Sequence, residues 1–418
     1  MNINSVKSNK SLILFTIIFA GEAVFFLPFV MARIFRPTLL EVFQISNVEL
    51  GTYFSVYGFV AMVSYFFGGI LADKFTARYL MSVALWLTAL GGIVMSFIPS
   101  GIIMMLIYAF WALTSIFLFW AAMIRATREL GGVAEQGRTF GWLEGGRGAT
   151  AALMGTIAFL VFAGTTPTAQ SVTVQEGGLH PFQIVILVVS GLTFLAGILI
   201  WFIVPNKSII EEHVPVNETI TRIRQLLRMP SIWMLSIIIV CAYVGYKITD
   251  DFSLYAREVL GFSEVNAASV GTAALWLRAF VAISVGYLGD RFNSVNIIIY
   301  SFVLSILGGV LFFTGLFNKY ILLALLNLII TAAGIYGIRA LYFAVLKQAK
   351  IPLLLTGTAV GIVSVIGFTP DVFMSPWMGY LLDSNPGVVG HQNVFLVLAS
   401  FSVVGLIVSL FFKIQENR

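Results

Sequence analysis

The stretch GGILADKFTAR, Gly68 to Arg78, ends an apolar run in a charged turn, and GYLGDRFNS, Gly286 to Ser294, does the same about half the chain later. Gly69 and Asp73 stand four apart, as do Gly286 and Asp290. Arg33 precedes Asp73 by the same forty residues that separate Asp250 from Asp290, so the repeat extends beyond one motif. The protein is therefore read as two related halves.

Only 10% of the 418 residues are charged and 59% are hydrophobic, with a mean hydropathy of +0.97; a soluble domain carries about 25% charged residues. This is the composition of a polytopic membrane protein. Charge-poor runs recur about every 30 to 35 residues, each near the ~20 needed to cross a bilayer, which predicts about twelve spans. With the N-terminus in the cytoplasm, about sixteen of the 24 Lys and Arg fall in cytoplasmic tails, loops and helix ends. The net charge of +5 thus reflects topology, with both termini cytoplasmic in a bacterial-type inner membrane, and not nucleic-acid binding. The first apolar run follows Lys7 and Lys10 and continues through VFFLPFVMA, too long for a cleaved leader, so it reads as a retained span. Cys241 is the single cysteine, which excludes an internal disulfide and a Cys-based metal site. His180, His213 and His391 are expected in loops.

Span 1, about Ser11 to Arg33, carries Glu22 near its middle and a kink at Pro28. Span 2 delivers GGILADKFTAR to the cytoplasm, and span 4 ends in Arg125 and Arg128. Span 5 opens with GRTFGWLEGGRGATAALMG, which sets Glu144 and Arg147 one helical turn apart as a self-neutralising pair. Residues 206–230 mix charges with Ile220, Ile223, Leu226 and Leu227 at helical spacing, the pattern of a cytoplasmic linker with a surface helix. The domain division is thus 1–205, linker 206–230 and 231–418. In the second half, span 7 contains KITDD with Lys247 three residues before Asp250, span 8 holds Arg278 near its middle, span 10 holds Arg339, and span 11 holds Pro370, Asp371 and Pro376. Span 12 is expected from about residue 392.

Each charge inside a span costs at least ~2.5 kcal/mol on insertion scales and persists with a partner, with water or for a function. Arg278 is the first choice for substrate contact, because a guanidinium holds a carboxylate or phosphate through two parallel hydrogen bonds. Its structural reading is an ion pair with Glu22 or Asp371. Arg147, Lys247, Arg33, Tyr57, Trp276 and Tyr336 complete the candidates for substrate binding. Glu22, Glu144, Asp371 and Asp250 are candidate proton carriers, since a buried carboxyl changes protonation with its surroundings. Arg339 is placed to snorkel toward the inner face. Asp371 beside Pro370 marks an expected break in span 11. No P-loop, HExxH, GxSxG or zinc spacing occurs, so neither an enzyme activity nor a cofactor is expected, and the energy must come from a gradient or a counter-substrate.

Two six-span halves, a central charged loop and GxxxD[RK] after spans 2 and 8 resemble the major facilitator superfamily over nearly the whole chain. The resemblance implies an all-α membrane fold of twelve transmembrane helices in two pseudo-symmetric halves. It also implies that Gly69, Asp73, Arg78, Gly286, Asp290 and Arg291 gate the cytoplasmic side. By position, Arg125 or Arg128 would answer Asp73 and Lys347 would answer Asp290. The chain departs from the family motif at Thr76, and span 5 lacks the proline of drug and proton antiporters. The expected function is alternating-access transport of a small organic anion, a carboxylate or organophosphate such as the organic-anion and sugar-phosphate branches carry, moved with protons or in exchange for a counter-anion. The site is expected between Glu22 and Arg278. A neutral sugar, nucleoside or amphiphile is the competing cargo, and a membrane ligand sensor the competing class. The expected partners are the substrate, the coupling ion and the lipid bilayer, and the chain is expected to act as a monomer.

Overall fold

A computed structural model describes residues 3–131, 136–166, 179–206, 224–342, 345, 348–349 and 356–416, and among these it is helical with no strand. It divides into two compact units, residues 1–209 with 262–276 and residues 210–261 with 277–418. Most of the expected linker helix lies outside the described residues.

In the first unit, α1 (Ile3–Phe25) passes into a π-helical turn, Phe26–Val30, and then a short turn of α-helix, Met31–Ile34. Pro28 sits inside the π turn, where widening the helix accommodates a residue with no N–H and a bulky ring. α2 (Arg36–Phe43) stops at Gln44 with φ 52°. α3 (Asn47–Lys74) starts from a capping box in which Ser46 Oγ accepts the Glu49 N–H at 3.1 Å and Glu49 Oε2 accepts the Ser46 N–H at 2.8 Å. α4 (Ala77–Met95) follows; α5 (Gly101–Ala112) then runs through a second π segment, Leu113–Trp120, into α6 (Ala121–Gly131). α7 (Gln136–Thr165) and α8 (Pro181–Ile203) complete the unit, with His180 capping α8 ahead of Pro181.

The second unit is built on α9 (Pro230–Ile248), a 3-10 turn (Thr249–Asp251) and α10 (Phe252–Glu258). α11 (Glu264–Phe292), α12 (Ser294–Phe313), α13 (Ile321–Leu341), α14 (Thr356–Gly367), α15 (Pro370–Ser384) and α16 (Val388–Glu416) follow. Span 11 is broken between Gly367 and Pro370, where Pro370 opens α15 and has no N–H with which to continue the preceding helix. Helix α16 starts at Val388, after Gly387 at φ +79°. That corrects the loop placement of His391, which lies in the first turn of α16 and is 1% exposed.

Among the described residues, 11 helices are long and apolar enough to cross a membrane. α3, with 28 residues or about 42 Å of helix, is long enough for the remaining expected span. The protein is a multi-pass integral membrane protein with the expected all-α fold. Phe59, Phe97, Leu106, Phe202 and Leu322 are among the large apolar side chains left exposed; in a bilayer these face lipid, which is as apolar as they are. The first unit's interior is filled by residues such as Leu27, Phe54, Leu85 and Trp111, and the second's by Leu235, Ile239 and Phe302.

Candidate functional site

The second unit gathers charge inside its helices. Tyr243, Tyr246 and Lys247 fall at i, i+3 and i+4 on α9 and so share one face. Lys247 Nζ lies 3.7 Å from Asp250 Oδ2 in the 3-10 turn and 3.4 Å from Asp371 Oδ1 in the first turn of α15. Asp371 also accepts the Tyr243 hydroxyl, at 3.2 and 3.1 Å to its two oxygens. The helix break before Pro370 puts this carboxylate at a helix start, where free N–H groups and the dipole favour negative charge. Lys247 and Asp250 are 1% and 0% exposed, so each depends on the others for charge balance.

Next to this triad, Tyr246 carries two cations. The Arg339 guanidinium stacks 3.6 Å from the Tyr246 ring centroid, and Arg278 lies 5.7 Å from it while its Nη1 donates to the Tyr246 hydroxyl at 3.4 Å. Arg339 also lies 5.6 Å from the Tyr243 ring. The expectation that Arg339 snorkels is therefore corrected: two tyrosine faces hold its charge inside the unit. Tyr336 places its ring 6.5 Å from that of Tyr246 and is buried. Arg278, Lys247, Asp250, Asp371 and Tyr336, expected from sequence, are thus brought together. Tyr243 and Tyr246 were missed, although their spacing from Lys247 carries the signal.

In the first unit, Arg147 turns to Glu22 and not only to its own helix. Its Nε lies 3.4 Å from Glu22 Oε2 and donates to the Gly21 carbonyl at 3.0 Å, and the guanidinium sits 5.4 Å over Phe25 and 5.6 Å over Trp120. The expected pairing of Arg147 with Glu144 falls on a side chain outside the described residues. Arg33 is buried after the π turn of span 1. Tyr57 donates to Ser115 Oγ at 2.5 Å, since the Ser115 hydroxyl proton goes to the Trp111 carbonyl. Its ring meets Phe29 edge-on at 4.6 Å. Trp276 donates its ring N–H to Thr156 Oγ1 at 2.9 Å. Tyr57 and Trp276 are thus fastened into helix packing.

Of the gate, the side chains of Asp73, Arg128, Asp290 and Lys347, and the surroundings of Gly69, lie outside the described residues. Arg125 reaches the end of α3, donating to the Ala72 carbonyl, and its Nε bonds Glu129 at 2.9 Å. Arg78 lies 5.4 Å over the Trp201 ring and Arg291 5.3 Å over Phe292. The close approach in the first copy belongs to Gly68, where an added Cβ would stand 3.0 Å from the Phe117 carbonyl oxygen in the π segment. Gly286 has open space in the same direction, and Gly289 instead faces Leu341.

Residues 13–369 match the Major Facilitator Superfamily. The chain is 28% identical over 411 residues to inner membrane protein YqcE of Escherichia coli (strain K12), covering 96% of this chain and 93% of that one. It is 26% identical over 402 residues to inner membrane protein YihN of the same organism, covering 93% and 92%. Among solved structures, a variant of the nucleoside transporter NupG superposes with a TM-score of 0.74 at 12% identity, covering 96% of this chain and 99% of that one. The D-xylose-proton symporter gives 0.74 at 14% identity, covering 99% and 97%. At such identities these two likenesses are of fold alone. With its helical fold, buried charges and nearly full-length family match, the chain belongs to the Major Facilitator Superfamily of secondary transporters, which work by alternating access.

Proposed function

We propose that the protein carries a small organic anion, a carboxylate or organophosphate, held at the Arg278, Arg339 and Lys247 cluster of the C-terminal half. The observation that carries this reading is the gathering of basic groups: among the described residues, Arg278, Arg339 and Lys247 collect around Tyr246, Asp250 and Asp371. Two guanidiniums against the single Tyr246 ring repel one another, and a bound anion relieves that repulsion while accepting the bidentate bonds that Arg offers. The halves are taken as 1–205 and 231–418 around the 206–230 linker, in an inner membrane with both termini cytoplasmic. Lys247 between two carboxylates suits proton or anion coupling, because protonating Asp250 or Asp371 leaves Lys247 with one counter-charge fewer and raises the pull on an anion. Glu22 with Arg147 forms the corresponding pair of the other half.

A neutral sugar or nucleoside is the second reading, favoured by the tyrosine faces of Tyr243, Tyr246 and Tyr336, which suit a flat or ring-shaped solute. Purified protein in liposomes decides between them. Uptake of at least one sugar phosphate or carboxylate from a panel is expected, with Arg278→Gln abolishing it. Movement of neutral solutes with no uptake or binding of any anion would sink the anion reading.

A further inference from the structure

One buried titratable cluster of the second unit is absent from the site above. His391, in the first turn of α16, has Nδ1 2.7 Å from Asp251 Oδ2 and Nε2 3.1 Å from Glu258 Oε2. Both partners are carboxylates, which only accept. A neutral imidazole donates through one nitrogen and would turn a lone pair toward the other carboxylate. The arrangement is therefore satisfied when both ring nitrogens carry protons, or when a carboxyl supplies the missing one; either way the cluster holds one proton more than a neutral histidine with two carboxylates.

Burial makes that proton consequential. Asp251 is 0% exposed, and its Oδ1 has no hydrogen-bond partner among the described residues, so the imidazolium is the charge that offsets it. The Glu258 side chain is 34% exposed and connects the cluster to water. Tyr255 is the other titratable group against the ring, edge-on at 5.6 Å, and its hydroxyl donates to Asn318 at 3.0 Å. The remaining ionisable groups at this end of the half, by helix direction, are Arg257, Glu264, Lys319, Tyr320, Tyr380 and Asp383. The 3-10 turn Thr249–Asp251 then links this cluster to the central one, since neighbouring residues of one turn bond in two directions: Asp250 to Lys247 and Asp251 to His391.

We propose that Glu258, His391 and Asp251 form a proton-binding site at the end of the C-terminal half remote from Asp290, whose occupancy positions the turn that presents Asp250 to Lys247. A proton arrives from water at Glu258 and passes to Nε2 of His391, leaving Nδ1–H on Asp251; on release it returns through Glu258 to water. Without it, Asp251 loses its counter-charge and keeps only the bond from a neutral Nδ1–H, so the turn carrying Asp250 is held less firmly. As a coupling device this rests on the transporter reading above, but the site itself is tested without a substrate.

In the full-length protein in nanodiscs, ring-labelled histidine gives nitrogen resonances for His180, His213 and His391, and the set lost in His391→Gln identifies the last. Two protonated ring nitrogens on His391 at pH 7 are expected, falling to one in Asp251→Asn. Hydrogen exchange over residues 246–256 should rise at least several-fold in His391→Gln while the rest of the second unit keeps its protection. A His391 ring with one protonated nitrogen and both carboxylates ionised in the unsubstituted protein would overturn the proposal, even if the Asp251 variant fails to fold. So would unchanged exchange in the 246–256 segment of a folded His391→Gln. Neither readout involves cargo, so these failures would leave the anion reading intact, and failure of anion uptake would leave the proton site intact.

Discussion

At the scale of single residues, the interior charges are explained by what each is held against. Removing one member of a buried ion cluster leaves its partners uncompensated, and such a change typically costs about 3–5 kcal/mol. Lys247→Met should therefore destabilise the protein by about that amount, because Asp250 and Asp371 both face its ammonium. Adding Asp250→Asn to the same protein should restore part of the loss; thermal unfolding in nanodiscs measures both, and equal stability of single and double variants would show that the charges do not couple. Tyr57→Phe removes the hydrogen bond to Ser115 and should cost about 1 kcal/mol in the same assay. Glu22, Arg278, Lys247, Asp250 and Asp371 could be picked from sequence because a charge in an apolar run is conspicuous. Of their partners the local one could, since Asp250 stands one turn from Lys247 and pairs with it. The distant ones could not, because Arg147 lies 125 positions from Glu22 and only helix packing decides that it turns that way. Tyr243 and Tyr246 escaped notice and His391 was assigned to a loop, because an aromatic in a membrane protein and a histidine near a span end are unremarkable until their neighbours are known.

At the scale of elements, helix starts and breaks follow local chemistry, whereas helix contacts follow shape. Ser46 with Glu49, Pro181, Pro230 and Pro370 mark helix starts by their own preferences. Close packing of α12 on α13 depends on Gly308, where an added Cβ would run into the Thr331 hydroxyl and stand 3.1 Å from the Thr331 Cα. Gly308→Ala should destabilise by about 1–3 kcal/mol through overpacking. Gly191→Ala, at a position with nothing within 4 Å, should change stability by no more than about 0.5 kcal/mol. Similar losses for the two variants in thermal unfolding would refute the packing account. The π segments were not foreseen: Pro28 announces the first, but Leu113–Trp120 contains no proline. Its signal is weaker, a Thr114-Ser115 pair whose hydroxyls both donate to the Trp111 carbonyl at the change of helix type.

At the scale of the molecule, the topology gives a direct test. Cys241 is the only cysteine and is 3% exposed, so a membrane-impermeant maleimide should leave the unsubstituted protein unlabelled. A cysteine appended after Arg418 should react only once the membrane is permeabilised, and one at Lys319, between α12 and α13, should react in intact cells. The reverse pattern would invert the proposed orientation and place the His391 cluster on the cytoplasmic side.

Composition and the repeated GxxxD turn were enough to establish a two-half helical membrane protein of this superfamily. A bilayer demands long apolar helices whatever their neighbours, and a duplicated motif survives in the linear order of the chain. Which buried charges meet was not readable there. An ion pair in a membrane is a contact between helices, and the rotation and break of each helix, set by glycines, prolines and packing, decides whether Arg147 finds Glu22, whether Arg339 lies on Tyr246, and whether Asp251 reaches His391.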